Sequence, residues 1–265
     1  MSKLKSSAVE TCAQLLLQAR RKHFRMYDLP LSIRPQTLED GYRVQARLAE
    51  LLCSSPNQLR RIGYKAANTN ETSQKFLGLP QPFFGPLLAR DDASVVGTKA
   101  KPKVFEGISK LGVRICEPEF ALQVGSNGKV INVAPAIEIV HTSFLNWKVV
   151  GAPSLVADLA CNGYWIRGDS VPVDKITFRS CALFVNGRQV SKGDSSKVLG
   201  SPLNVLEAFR THNRQTAPVG GPLKDGDWLT TGVCVDPPYH VCEPGDEILV
   251  EFEGGIGSVA LSCRK

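Results

Sequence analysis

The feature that most constrains how this chain folds is a change of rhythm near residues 54–57. Before it, apolar residues recur at helical spacing; after it, helical periodicity gives way to short apolar runs punctuated by Gly and Pro. Residues from about Ser7 to Lys22 set Val9, Cys12, Leu15, Leu16 and Ala19 on one stripe. A second helix is expected from Thr37, with Asp40 completing a capping-box-like pattern, through Tyr42, Val44, Gln45, Leu48 and Leu51 to about Cys53. Between them, the prolines of Leu29–Pro35 favour an extended segment. The pattern predicts an α+β chain: a small N-terminal helical region over 1–60, laid on a mainly β core over 61–265.

Within the β core, Arg61–Ala66 reads as a short strand that carries Lys65, which on its own reads as a solvated lysine. Asn186-Gly187 between two apolar runs is a two-residue hairpin signal. Ser201-Pro202 opens a helix through Val205, Leu206 and Phe209. In Glu243-Pro244-Gly245-Asp246, Pro and Gly stand where a type II turn needs them. The end of the chain is strand-rich.

Composition excludes several classes. The net charge of +7 is modest for 265 residues and the charges are interspersed, so nucleic acid is not an expected partner. The densest basic stretch, Arg20–Arg25, reads as the last turn of a helix, where cations complement the dipole. Eight scattered cysteines without a CxxC indicate neither a zinc ribbon nor a disulfide framework, and Cys116, Cys181 and Cys263 read as small core residues. No apolar leader and no run of membrane-spanning length is present, so a cytoplasmic protein with no membrane partner is expected. His23, His141, His212 and His240 fall at helix ends or loops and read as surface residues.

Chemistry concentrates in Arg114–Leu122. As a strand, this stretch sends Glu117 and Glu119 out of one face and Cys116, Pro118 and Phe120 out of the other. Neighbouring like charges are unfavourable unless a cation, a proton or water separates them, and a hard divalent ion is one resolution. A third acid, Glu138, interrupts the otherwise apolar run Ala134–Val140, where an unpaired carboxylate is costly. The bland alternative is two solvated acids and one salt-bridged glutamate, and spacing alone leaves both open.

The ordered set Gly63-Tyr64-Lys65, Phe84-Gly85-x-Leu87, Glu117-Pro118-Glu119-Phe120-Ala121, Pro135-Ala136-Ile137-Glu138, Ala157-Asp158-x-Ala160, Leu199-Gly200-x-Pro202-Leu203, Thr231-Gly232 and Pro244-Gly245-Asp246 resembles the 2-keto-4-pentenoate hydratase and 4-oxalocrotonate decarboxylase family of the fumarylacetoacetate hydrolase superfamily. The resemblance covers nearly the whole chain and implies a fumarylacetoacetate hydrolase-like β-roll with short helices. It further implies a hydro-lyase acting on a 2-hydroxy-2,4-dienoate or related small 2-oxo acid through an enolate, in cytoplasmic aromatic catabolism and as a homo-oligomer. Metal carboxylates are implied at Glu117, Glu119 and Glu138, with Mg²⁺ or Mn²⁺ as the ion, consistent with all-oxygen ligation. Lys65 and Asp91 are implied as catalytic groups, enolate stabiliser or proton relay and water-activating base, and substrate contacts are implied at Asp158, Cys161 and Thr231.

The chain departs from the family pattern in three places. The insert between Glu119 and Glu138 is reduced to a tight turn at Gly125–Lys129; Leu159 and Cys161 stand where many members carry an amide and a hydroxyl; and Ala66-Ala67-Asn68-Thr69 replaces the usual residues after the lysine. A retained metal site with an altered substrate shell is therefore expected. Decarboxylation or tautomerisation of a related 2-oxo acid, and a non-catalytic subunit paired with an active enzyme, are the alternative readings. C–C hydrolysis ranks lower, because no histidine can be placed to activate water.

Overall fold

The computed structural model describes residues 3–54, 59–215 and 221–265. The first two helices form as their patterns require. Helix α1 spans Ser6–Lys22 and buries Cys12, Ala13 and Leu16; α2 spans Leu38–Cys53 and buries Val44 and Leu48. The Thr37 hydroxyl caps α2 by accepting a hydrogen bond from the Asp40 N–H at 3.1 Å. The stretch from Leu29 to Pro35 is a turn and not an extended segment: the Ile33 and Arg34 N–H groups both donate to the Pro30 carbonyl, at 2.9 and 3.0 Å.

Two sheets follow. The strands are β1 (Arg60–Ala67), β2 (Phe83–Ala89), β3 (Lys103–Glu106), β4 (Cys116–Val124), β5 (Val130–Val140), β6 (Asn162–Arg167), β7 (Val171–Pro172), β8 (Ser180–Val185), β9 (Arg188–Asp194), β10 (Trp228–Thr230), β11 (Glu247–Phe252) and β12 (Gly257–Arg264). The larger sheet runs β2-β1-β10-β4-β5-β6 with β7 beside β5, and the smaller runs β3-β12-β11-β8-β9. Short helices α3 (Glu71–Leu77), α4 (Ala152–Ala157) and α5 (Asn204–Gln215) complete the fold. The expected division at residue 60 falls at the first residue of β1, and the change of rhythm lies mostly in 55–58, outside the described residues.

The inner faces of the two sheets enclose the main core. Phe120 of β4 lies at its centre, with ring centroids 4.9 Å from Phe252 and 5.3 Å from Phe178, in edge-on contacts. Cys116, Cys181 and Cys263 are buried there as small apolar residues, together with Cys234 and Cys242. The hairpin at Asn186-Gly187 forms with φ of 51° and 78°, both left-handed, as a two-residue turn matched to strand twist demands. Two histidines differ from expectation. His141 is buried, and its Nδ1 accepts from the Gly112 N–H at 2.8 Å; His212 packs beside the Tyr42 and Phe84 rings. Burial pushes both imidazoles down to about 4.

A second core joins the helices to the outer edge of the larger sheet, with Leu16, Leu48, Phe83, Phe144, Val156 and Leu159 among its members. The clamp between these layers is Arg20 of α1. Its guanidinium donates to the Asp158 carboxylate at 2.6 Å and to the Asp158 and Asn162 carbonyls, both at 2.8 Å. Arg20 stands in the last turn of α1, as expected, and its largely buried side chain also fastens that turn to Asp158. Asp158 also accepts from the Thr142 hydroxyl at 2.8 Å and the Ser143 N–H at 2.6 Å. Burial alone would raise the Asp158 pKa, but Arg20 and these donors hold it below the usual carboxylate value.

Removing one partner of a buried ion pair leaves the other uncompensated, so Arg20→Ala is expected to lower unfolding free energy by about 3–5 kcal/mol in urea titrations. A loss no larger than that of an exposed arginine would contradict the clamp.

Candidate active site

The strand parity read from Glu117 and Glu119 holds. Cys116 and Phe120 enter the core between the sheets, while both glutamates face the opposite side of β4. Register supplies the third acid. Glu117 of β4 lies directly opposite Glu138 of β5, and the hairpin is closed by the Gly125–Lys129 turn, where the Gly125 N–H donates to the Lys129 carbonyl at 2.9 Å. One oxygen from each of Glu117, Glu119 and Glu138 lies within 4.8 Å of the other two. Glu119 and Glu138 are fully buried and Glu117 is half-buried.

Among the described residues, Lys65 is the cation in direct contact with this group, with Arg20 acting on Glu138 from farther off. Lys65 of β1 is buried, in contrast to the solvated lysine read from its strand alone, and its Nζ lies 2.8 Å from Glu138 Oε2. It also donates to the Ala160 carbonyl at 3.0 Å. Burial by itself lowers a lysine pKa; here Glu138, then Glu117 and Glu119, outweigh it and keep Lys65 protonated. Beyond that contact, no further hydrogen bond of strict geometry reaches the Glu119 or Glu138 carboxylates among the described residues, although the Thr230 hydroxyl lies close enough to Glu119, and Glu119 to Glu138, to lower their pKa values. Burial raises all three glutamate pKa values, with repulsion from Glu138 adding to it at Glu117 and Glu119 and Lys65 opposing it; Glu117 is pushed up to about 7.

Orphaned buried carboxylate oxygens converging on one point are what a hard divalent cation satisfies, and an all-oxygen donor set matches the preference of such ions. The residues present therefore fit a divalent metal.

The floor beside Lys65 is an unusual turn. Leu159, Ala160 and Cys161 have φ of 56°, 54° and 64°, three successive non-glycine residues in the left-handed region. Each such residue costs free energy, so surrounding structure must impose the conformation. Asp158 does this from one side: its carbonyl accepts from the Cys161 N–H at 3.1 Å, and its carboxylate is fixed by Arg20, Thr142 and Ser143. Gly85 does it from the other, since a Cβ there would stand 2.5 Å from the Leu159 carbonyl oxygen.

Above the carboxylates opens a cavity of about 380 Å³, lined in part by Lys65, Glu117, Cys161, Thr69, Phe76 and Trp147. Of the residues expected in the site, Lys65, Glu117 and Cys161 line this cavity, with Glu119 and Glu138 buried beside Glu117. Burial pushes the Cys161 thiol up to about 12, so it is neutral. Asp158 lies behind the turn, bound to Arg20. Thr231 is buried, its hydroxyl accepting from the Phe120 N–H at 3.1 Å, and it fixes β4 instead of lining the cavity. Asp91 is not brought to the site. It occupies an exposed turn where its carboxylate caps Ser94, accepting from that N–H at 2.6 Å, and its neighbour Asp92 binds Arg167 and the Trp228 indole. The sequence reading missed Ala160, which orients Lys65, and Arg20, although Arg20 follows Leu16 by four residues on the buried stripe of α1.

No protein-family model matches the chain. Among solved structures, 4-oxalocrotonate decarboxylase from Pseudomonas putida G7, complexed with magnesium and adipate, superimposes with a TM-score of 0.84 at 21% identity over 99% of this chain and 100% of that one. Fumarylpyruvate hydrolase from Pseudomonas aeruginosa, in complex with Mn²⁺ and pyruvate, gives a TM-score of 0.56 at 15% identity over 77% and 89%. The α+β architecture is thus of the fumarylacetoacetate hydrolase type. Among sequence relatives, TodF product hydratase from Pseudomonas putida F1 is 29% identical over 272 residues, 98% of this chain and 97% of that protein. The 2-keto-4-pentenoate hydratase 2 of Dechloromonas aromatica is 30% identical over 209 residues, 76% and 77% of the two. The chain belongs to the 2-keto-4-pentenoate hydratase family. It is an enzyme, a hydratase by family, with a site built for a divalent ion.

The raised glutamate pKa values have a definite sign. In the unfolded chain these groups ionise near the ordinary value of about 4.3, whereas the folded, metal-free protein holds protons to higher pH. The folded state then binds more protons, so its stability falls as pH rises from that value through about 7, where Glu117 ionises. A bound divalent ion removes the repulsion. In thermal-shift measurements, the Tm increment from saturating Mg²⁺ or Mn²⁺ is expected to grow between about pH 5 and pH 8. A pH-independent increment would contradict carboxylate ligation.

Proposed function

We propose that this enzyme is a Mg²⁺- or Mn²⁺-dependent hydro-lyase that adds water to a 2-hydroxy-2,4-dienoate, handled as its 2-oxo tautomer. The observation that carries the reading is the convergence of Glu117, Glu119 and Glu138 on one buried point with Lys65 at 2.8 Å from Glu138. Glu117, Glu119 and Glu138 would hold the ion. When bound, it supplies Lewis-acid polarisation of the substrate's 2-oxygen and stabilisation of enolate charge.

The chain's own residues do the rest. Lys65 is kept cationic by the carboxylates and fixed by the Ala160 carbonyl, so it offers a positioned N–H to the negative charge that develops on the substrate. Cys161, neutral at physiological pH, presents a weak thiol donor to the carboxylate end and takes the place of a hydroxyl. The largely apolar cavity wall lowers the local dielectric and strengthens each of these interactions. Asp158 acts as a positioning residue through the 159–161 turn, and Thr231 through the backbone of β4. The water-activating role expected of Asp91 has no support, because Asp91 lies on an exposed turn away from Lys65.

A cytoplasmic setting in aromatic-ring catabolism follows from the same family reading, and no described helix is long and apolar enough to cross a membrane. The homo-oligomer is proposed on the same family reading.

The test is incubation of enzymatically generated 2-hydroxypenta-2,4-dienoate with the protein and Mg²⁺, followed by loss of diene absorbance and identification of the hydrated product. Glu138→Gln is expected to lower turnover about 100-fold or more and to abolish tight Mn²⁺ binding. Persistence of the diene while another 2-oxo acid loses CO₂ would replace hydration by decarboxylation on the same residues.

A further inference from the structure

Beyond the carboxylates, the cavity has a character of its own. Its far wall and rim are built from Phe76, Leu77, Phe83, Val113, Leu155 and Trp147. Phe76 and Trp147 form an aromatic pair with centroids 5.8 Å apart, and Phe76 remains 49% exposed at the end of α3. At about 380 Å³ the cavity holds on the order of a dozen waters at ~30 Å³ each, more room than a five-carbon 2-oxo acid fills.

The polar groups on that wall do not suit a second carboxylate. The Asn68 amide nitrogen is committed to the Leu79 and Gln81 carbonyls, at 2.7 and 2.9 Å, which leaves only its acceptor oxygen, buried and unpartnered. The Thr142 hydroxyl is committed to Asp158. Thr69 keeps a free hydroxyl, wedged against Gly232, where a Cβ would stand 2.2 Å from it. Lys148 is exposed at the rim, with Nζ 5.7 Å from the Trp147 ring centroid, where water screens its charge. An anion seated deep on this wall would meet hydrocarbon and, among the described residues, no accessible side-chain donor, while a hydrocarbon tail would cover apolar surface that is otherwise wet.

Resting on the 2-oxo-acid reading above, we propose that the natural substrate is a monocarboxylic 2-oxo acid with an uncharged hydrocarbon tail of several carbons beyond the reacting segment, packed against Phe76, Trp147 and Leu155. Phe76 and Trp147 then set specificity: they grip the tail, on a wall that offers a terminal carboxylate no accessible donor.

Binding of unreactive saturated acids separates this inference from the choice of reaction. Pyruvate, 2-oxooctanoate and the eight-carbon 2-oxo diacid of equal length are titrated calorimetrically into the Mn²⁺-loaded enzyme. Each methylene buried on the apolar wall is worth about fourfold in affinity. The expected result is that 2-oxooctanoate binds at least about tenfold tighter than pyruvate and tighter than the diacid, and that Trp147→Ala and Phe76→Ala each shrink the octanoate-to-pyruvate ratio. Metal-dependent pyruvate binding with no gain from the tail, or with the diacid preferred, would overturn the inference while leaving the 2-oxo-acid reading intact. Loss of metal-dependent binding for all three acids would overturn both.

Discussion

Three glutamates meeting at one buried point, opposed by a single lysine, is the constraint on which the rest of this structure depends. Like charges directly opposite in a sheet are destabilising, and burial removes the water that would screen them. Glu117 and Glu138 stand in that relation, and Glu119 adds a third carboxylate. Lys65 offsets part of it and does not reach all of the oxygens. A fold that keeps such an arrangement is poised for a divalent ion. The repulsion in the metal-free site and the affinity for the cation are two aspects of one geometry, a stability–function compromise of the kind expected at active sites.

The surroundings are arranged to hold this geometry still. The double-sheet core beneath β4 is apolar and aromatic, with Phe120 packed edge-on against Phe178 and Phe252, which holds the strand carrying Glu117 and Glu119 in place. On the other side, Arg20 reaches from α1 to Asp158 and thereby fixes the left-handed run Leu159–Cys161, whose Ala160 carbonyl orients Lys65. The N-terminal helices thus act on the chemistry through a chain of contacts: helix, ion pair, strained turn, lysine. Gly85 belongs to the same chain, because only a residue without Cβ lets β2 pass under the Leu159 carbonyl.

Much of this was legible in the residues. Strand parity placed Glu117 and Glu119 on one face, and the acid interrupting Ala134–Val140 marked Glu138, because both signals are local. Helix stripes, the Thr37 cap and the Asn186-Gly187 turn are local in the same way. What escaped depends on long-range pairing. The register that sets Glu117 against Glu138 follows from closure of the hairpin at Gly125–Lys129; the residues show the tight turn, but not which positions of β4 and β5 it pairs. Lys65 reads as solvated from its own strand and reaches the site only through the family resemblance, because nothing near it in sequence reveals that the sheet carries it to Glu138. Asp91 was assigned to the site by its position after a family motif, but the chain turns there and spends its carboxylate on Ser94. His141 and His212 were read as surface residues because their partners, Gly112, Tyr42 and Phe84, are distant in sequence.

The central claim is that the three glutamates form one metal site. A crystal structure of the Mn²⁺-loaded protein, with anomalous difference maps at the manganese edge, tests it most directly. The account predicts one strong peak at about 2.0–2.3 Å from an oxygen of each of Glu117, Glu119 and Glu138. A fully loaded crystal with no peak there, or with its manganese on other residues, would contradict it.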